Sequence, residues 1–197
     1  MNINKLKDQI YNPHNPQQQY NAAYKMRFVK NNPEIINILF KACYDARDPN
    51  LQQEAVRSLS VLKPEKALKV FIEKSTNNDE SIRLKSFYHL GTLGNPKGID
   101  AVLKGLMDNK SHIRRAAAIS AGRIGKDQKA ISALKQIVNP FESQQIRQEA
   151  EKSIINIKKR INISKNKIKQ NISKKQNNRT FNKITEDRYQ SYSPMAF

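Results

Sequence analysis

Three groups of residues in this 197-residue chain could do chemistry. The largest is cationic. Lys158, Lys159, Arg160, Lys165, Lys167, Lys169, Lys174, Lys175, Arg179 and Lys183 follow one another with no acid between them. Cations at such short intervals can neutralise a row of phosphates, each contact gaining from counterion release. No aromatic residue lies within 158–175 to stack on bases, so binding there should be only weakly sequence-selective. The second group is a column of Arg83, Arg114 and Arg147. A planar guanidinium could clamp phosphates at each level of such a column, or bond to acidic and carbonyl groups of a neighbouring loop. The third group is His14, His89, His112 and Cys43, each standing alone. No nucleophile–base pair, phosphate-cradling loop or dinucleotide fingerprint accompanies them. No catalytic residue, metal site or cofactor is therefore expected.

The arginine spacing belongs to a longer pattern. Leu51, Ile82, Ile113 and Ile146 lie 31, 31 and 33 residues apart. Each opens a similar phrase, and the small residues Ala55, Ser86, Ala117 and Ala150 follow at a fixed offset. A period in this range marks a repeat protein. Each repeat reads as two short helices. In the third, Asp79 or Ser81 can cap a helix carrying Ile82, Phe87, Leu90 and Leu93. Gly94-Asn95-Pro96 stops it and restarts the chain. Ile99, Val102, Leu103 and Leu106 then give the second helix its apolar stripe. A weaker copy precedes these, with residues 15–29 matching 48–62. Ile3, Leu6 and Ile10 can seal that end as a short extra turn. At the other end Ile154, Ile157, Ile161, Ile168 and Ile172 keep helical spacing into the basic stretch. Beyond about Lys175 the chain is polar and aperiodic, and is expected to be disordered. The domains expected are a cap at 1–14, repeats at 15–157 and a basic tail at 158–197, partly helical.

Composition supports this division. The formal charge is +19, from 36 Lys and Arg against 17 Asp and Glu, and roughly half of it sits in the last fifth of the chain. Such asymmetry points to a tail that meets polyanions. Two other readings stand beside it: a solvated tail without a ligand, and a helix lying on an anionic membrane through Ile161, Ile168 and Ile172. The single cysteine excludes an intrachain disulfide and a thiolate metal site. Without a signal peptide or a membrane-length apolar run, a cytoplasmic location is expected.

At residues 79–94 and 110–125 the chain resembles a known family, the HEAT-like repeats of the phycobilisome-lyase type. The resemblance rests on the Ile-Arg start at Ile82-Arg83 and Ile113-Arg114, the Ala or Ser three residues on, and the closing Gly94 and Gly125. It covers about residues 15–157 and implies an all-α fold, a right-handed HEAT-like α-solenoid of about 4–5 two-helix repeats. It also implies that the arginine column is a structural ladder, with Asp79 and Glu142 placed as acceptors and Asp108 able to serve the fourth repeat. The second helices would line the concave face, where Lys66, Lys69, Lys97, Lys104 and Lys135 form either a solvated face or a surface for a protein partner. Catalytic members of the family carry His-Glu pairs or Trp, and this chain has neither. The function expected is a non-enzymatic scaffold that binds a protein partner, with a tail that engages RNA, DNA or another polyanion. A chaperone-like phycobilin lyase subunit is the alternative.

Overall fold

Polar caps and prolines punctuate the chain, and helices fill the intervals between them. The computed structural model describes residues 2–30 and 32–190, with the side chains of residue 174 and of residues 176–190 outside that description. Ten helices are described: α1 (Ile3–Ile10), α2 (Pro16–Met26), α3 (Pro33–Asp45), α4 (Pro49–Leu62), α5 (Pro64–Lys74), α6 (Glu80–Leu93), α7 (Ile99–Gly105), α8 (Ser111–Ile124), α9 (Gln128–Gln136) and α10 (Gln144–Gln190). Asn15, Asn32, Asp48, Asp79 and Asp127 each accept a bond from a backbone N–H of the first turn they precede. Proline opens α2, α3, α4 and α5, where its missing N–H costs nothing. Gly94 ends α6 at φ 70°, a left-handed conformation that disfavours any residue with a Cβ. Asn95 then caps a single 3₁₀ turn, Pro96–Gly98, that leads into α7.

The chain divides into two units, residues 1–157 and 158–197. In the first, α2, α4, α6, α8 and the opening turns of α10 are the first helices of successive repeats, and α3, α5, α7 and α9 are the second. First helices stack on one another, and α3, α5 and α7 each pack against the first helix of the following repeat. The fold is thus an all-α, HEAT-like solenoid. The end cap is a full two-turn helix, α1, which buries Leu6 and Ile10 and half-buries Ile3. The core holds Leu90, Ile113, Ala117 and Leu134. Ile82 and Leu103, expected beside them, are only half-buried. Ile82 lies in the first turn of α6, and Leu103 lies on α7, which the 3₁₀ turn at 96–98 leaves just seven residues long.

A second periodic element joins the first helices. Ser58 Oγ donates to the Ala23 carbonyl at 2.8 Å, Ser120 Oγ to Phe87 at 2.7 Å and Ser153 Oγ to Ala118 at 2.9 Å. Glycines opposite two of them permit the approach: a Cβ at Gly91 would stand 2.5 Å from Ser120 Oγ, and one at Gly122 would stand 2.2 Å from Ser153 Oγ. The intervening register position, 31 residues after Ser58 and 31 before Ser120, is His89.

The second unit begins at Lys158, inside α10. Helix was expected to end near Lys175, yet α10 runs to Gln190. No glycine or proline occurs between residues 144 and 190 to stop it. Residues 191–197 of the expected tail lie outside the described residues.

Candidate functional site

The arginine column is built from the loops upward. Arg83 Nη1 donates to the carbonyls of Asn77 (2.9 Å) and Asn78 (3.0 Å), at the loop that opens its own repeat. Its Nε and Nη2 fork onto Asp108 one repeat ahead, at 2.9 and 3.3 Å. Arg114 repeats the arrangement, with Nη1 on the Asp108 carbonyl (2.8 Å) and Nε and Nη2 on Glu142 at 2.6 and 2.7 Å. Arg147 keeps the loop half, with Nη1 on the Glu142 carbonyl at 2.7 Å. Glu142 and Asp108 accept as expected, and Asp79 does not. Asp108 serves the third repeat through its carboxylate and the fourth through its carbonyl. Asp79 serves no arginine and instead caps α6 through Ser81. The cause lies in the second repeat, where Gln52 occupies the arginine register; its amide reaches the Ala46 carbonyl and goes no further.

Electrostatics follow this geometry. Partial burial works against the charge of Asp108, but the Arg83 fork and the Lys110 amide outweigh it and hold its pKa below the ordinary value. The bond from Arg114 lowers Glu142 in the same way and raises Arg114 itself. Arg83 and Arg114, with the Nε and Nη2 edge of each taken by a carboxylate, have no free fork for a passing phosphate.

The lysines of the second helices separate into two sets. Lys97 bonds Glu65 of the preceding repeat at 3.2 Å, as Lys129 bonds Asp100 at 2.7 Å. Lys97 therefore does not stand as a free cation in the expected strip. Pairs this exposed contribute roughly 0–1 kcal/mol each. Lys66, Lys69, Lys104 and Lys135 are exposed, Lys66 with its Nζ 5.6 Å from the Phe40 ring.

Two of the groups with nucleophilic or acid–base chemistry, His89 and Cys43, are shut in. His89 is 3% exposed, between the rings of Tyr44 and Phe71 at 5.3 and 5.1 Å, and its Nε2 meets the Cys43 carbonyl at 2.7 Å. Burial lowers its pKa to about 4, so the imidazole is neutral at pH 7. It thus leaves the Ser58–Ser120–Ser153 register and bonds across to α3. Burial also pushes the Cys43 thiol far up, away from the thiolate that would react. His14 and His112 are exposed, and no cluster of three or more His, Cys, Asp or Glu side chains able to hold a metal is gathered among the described residues.

In the second unit, Lys158, Lys159, Lys165, Lys167, Lys169 and Lys175 are exposed and Arg160 is half-buried. Ile168 and Ile172 are 58% and 51% exposed, with Ile161 less so. The side chains of Lys174, Arg179 and Lys183 lie outside the described residues. Two clefts in the first unit had no sequence signal. One, of about 420 Å³, lies among α1, α2, α3 and the start of α4, and the other, of about 150 Å³, lies between the α2–α3 and α4–α5 turns. Both join residues too far apart in the chain for spacing to announce them. No helix among the described residues is long and apolar enough to cross a membrane.

Residues 71–155 match a family model described as HEAT repeats. No curated protein matches the chain. Among solved structures, the complex of CpcE and CpcF of phycocyanin lyase from Nostoc sp. PCC7120 is 16% identical at a TM-score of 0.53, covering 77% of this chain and 99% of that one. An engineered protein is 19% identical at a TM-score of 0.44, covering 80% of both chains. At such identities the likeness to the lyase complex extends to the fold alone.

Proposed function

We propose that this chain, a stack of HEAT repeats followed by a basic helix, is a non-enzymatic scaffold. Its second helices hold a protein partner, and residues 158–183 engage nucleic acid or another polyanion within a larger cytoplasmic assembly. The acid-free run of α10 carries the reading. Six lysines there stand exposed, and a helix that concentrates one sign of charge raises the local concentration of polyanions around it. Stacked repeats offer an extended surface for a partner, and Lys66, Lys69, Lys104 and Lys135 bias that surface toward acidic chains. The burial of His89 and Cys43 supports the absence of a catalytic site.

Affinity purification of the tagged full chain, with and without nuclease, tests the proposal. The expected result is nucleic acid in the untreated eluate and a protein partner that persists after nuclease. Recovery of neither would sink it. A phycobilin lyase subunit shares this fold, and the same eluate separates the two readings: visible bilin absorbance with a second solenoid chain would replace the scaffold reading.

A further inference from the structure

The smaller cleft of the first unit is lined by more cations than are compensated. Arg27, Lys30, Ile36, Val61, Leu62 and Lys63 line it, three of them cations and none an acid. Lys30 and Lys63 make no ion pair among the described residues. Arg27 is fixed from two sides: its guanidinium pairs with the buried Glu54 and lies 4.4 Å over the Tyr24 ring. Its Nε is buried and donates to no acceptor among the described residues. Phe28, the next residue, is 61% exposed, as is Val61, and Tyr24 meets the Phe28 ring edge-on at 5.6 Å. The placement is periodic. Phe28 and Lys30 recur one repeat later as Val61 and Lys63, each 33 residues on.

An exposed aromatic residue two positions from an unpaired cation in the chain suits one ligand class better than others. An acidic peptide would use the lysines and gain little that is specific from the ring. A nucleotide strand uses both, because each base offers a π-face and each linkage a phosphate. At about 150 Å³ the cleft has room for a phosphate group but not for a whole nucleotide, which leaves the base outside; Phe28 does not line the cleft, but it is the exposed ring next in the chain to the lining Arg27. We propose that this patch binds single-stranded nucleic acid, one base stacking on Phe28 and the flanking phosphates meeting Lys30 and Lys63. It supplies the stacking platform that residues 158–175 lack. It goes beyond the tail reading and rests on different residues.

The experiment compares the full chain with Phe28→Leu, with Lys30→Gln/Lys63→Gln, and with a tail variant carrying Gln at positions 165, 167 and 169. Each is titrated at fixed salt with a short labelled oligo(dT), inorganic polyphosphate and a poly-glutamate peptide. Leucine keeps the exposed position apolar, and thermal melting checks that the variant folds. The expected result is an oligo(dT) affinity about tenfold lower in Phe28→Leu with polyphosphate binding unchanged, and both affinities lower in the double lysine variant. A 2-aminopurine placed in the oligonucleotide should be quenched by the full chain and much less by Phe28→Leu. Equal oligo(dT) affinity in Phe28→Leu and the full chain would overturn the site while leaving the tail reading intact. So would an equal loss for oligo(dT) and polyphosphate, or a loss for poly-glutamate matching that for oligo(dT). A tail variant that binds like the full chain would instead count against the tail.

Discussion

A neutral imidazole in a ring-lined site is tolerated at pH 7 and becomes a liability in acid. His89 titrates near 6.5 when free of its surroundings and at about 4 when folded, chiefly through burial, with Lys85 adding to the shift. Between those values the unfolded chain binds a proton that the folded chain refuses, so stability falls as pH drops through that window. A gap of this size corresponds to about 3 kcal/mol. The Arg-held carboxylates Asp108 and Glu142 contribute stability above their ordinary values of 3.8 and 4.5 and lose it only at lower pH. Urea midpoints of His89→Gln at about pH 7 and about pH 4.5 should therefore differ much less than those of the parent. Gln keeps a donor for the Cys43 carbonyl. An unchanged slope in the variant would mean that another group carries the acid sensitivity.

Elements were legible where the sequence states their edges and less so where packing sets them. Asp79, Gly94 and Pro96 mark the ends of α6 and the restart that follows, since caps and breakers act through local chemistry. The arginine column was visible as spacing, and two of its acids were named, but which acid meets which arginine was not legible. Spacing says that a guanidinium recurs, whereas the acceptor depends on which loop the following repeat brings near. That loop supplies Asp108 to Arg83 and Glu142 to Arg114. The serine register was missed because three serines and a histidine do not read as one class until their acceptors are seen. Its closest joint yields a test. A methyl group at Gly122 would stand 2.2 Å from Ser153 Oγ and 3.0 Å from the Ser153 Cα, so backbone as well as side chain must move. Gly122→Ala should destabilise by about 1–3 kcal/mol, even though alanine is the better helix former by about 1 kcal/mol. A higher melting temperature in Gly122→Ala would show that α8 and α10 have slack there.

At the scale of the whole molecule, charge and core belong to different parts of the chain. The apolar register that packs the repeats closes at Ile157, which is fully buried, and Lys158 opens the run without acids. Substituting exposed cations beyond that point should leave the repeats folded while changing what the chain attracts. About ten cationic side chains are available between Lys158 and Lys183, though a strand meeting one side of a helix contacts only part of them. Five or six phosphates contacted at once imply a log–log salt slope of about −4 for single strands, at roughly −0.7 per contact. Affinity for RNA should fall steeply between low and physiological salt and depend little on base sequence. Replacing Lys165, Lys167 and Lys169 with Gln should flatten the slope by about 2 while leaving the far-UV circular dichroism of the repeats unchanged. Binding titrations of both proteins across a salt series decide it. The same slope in both would take these lysines out of the contact and place the charge dependence on the lysines of the repeats.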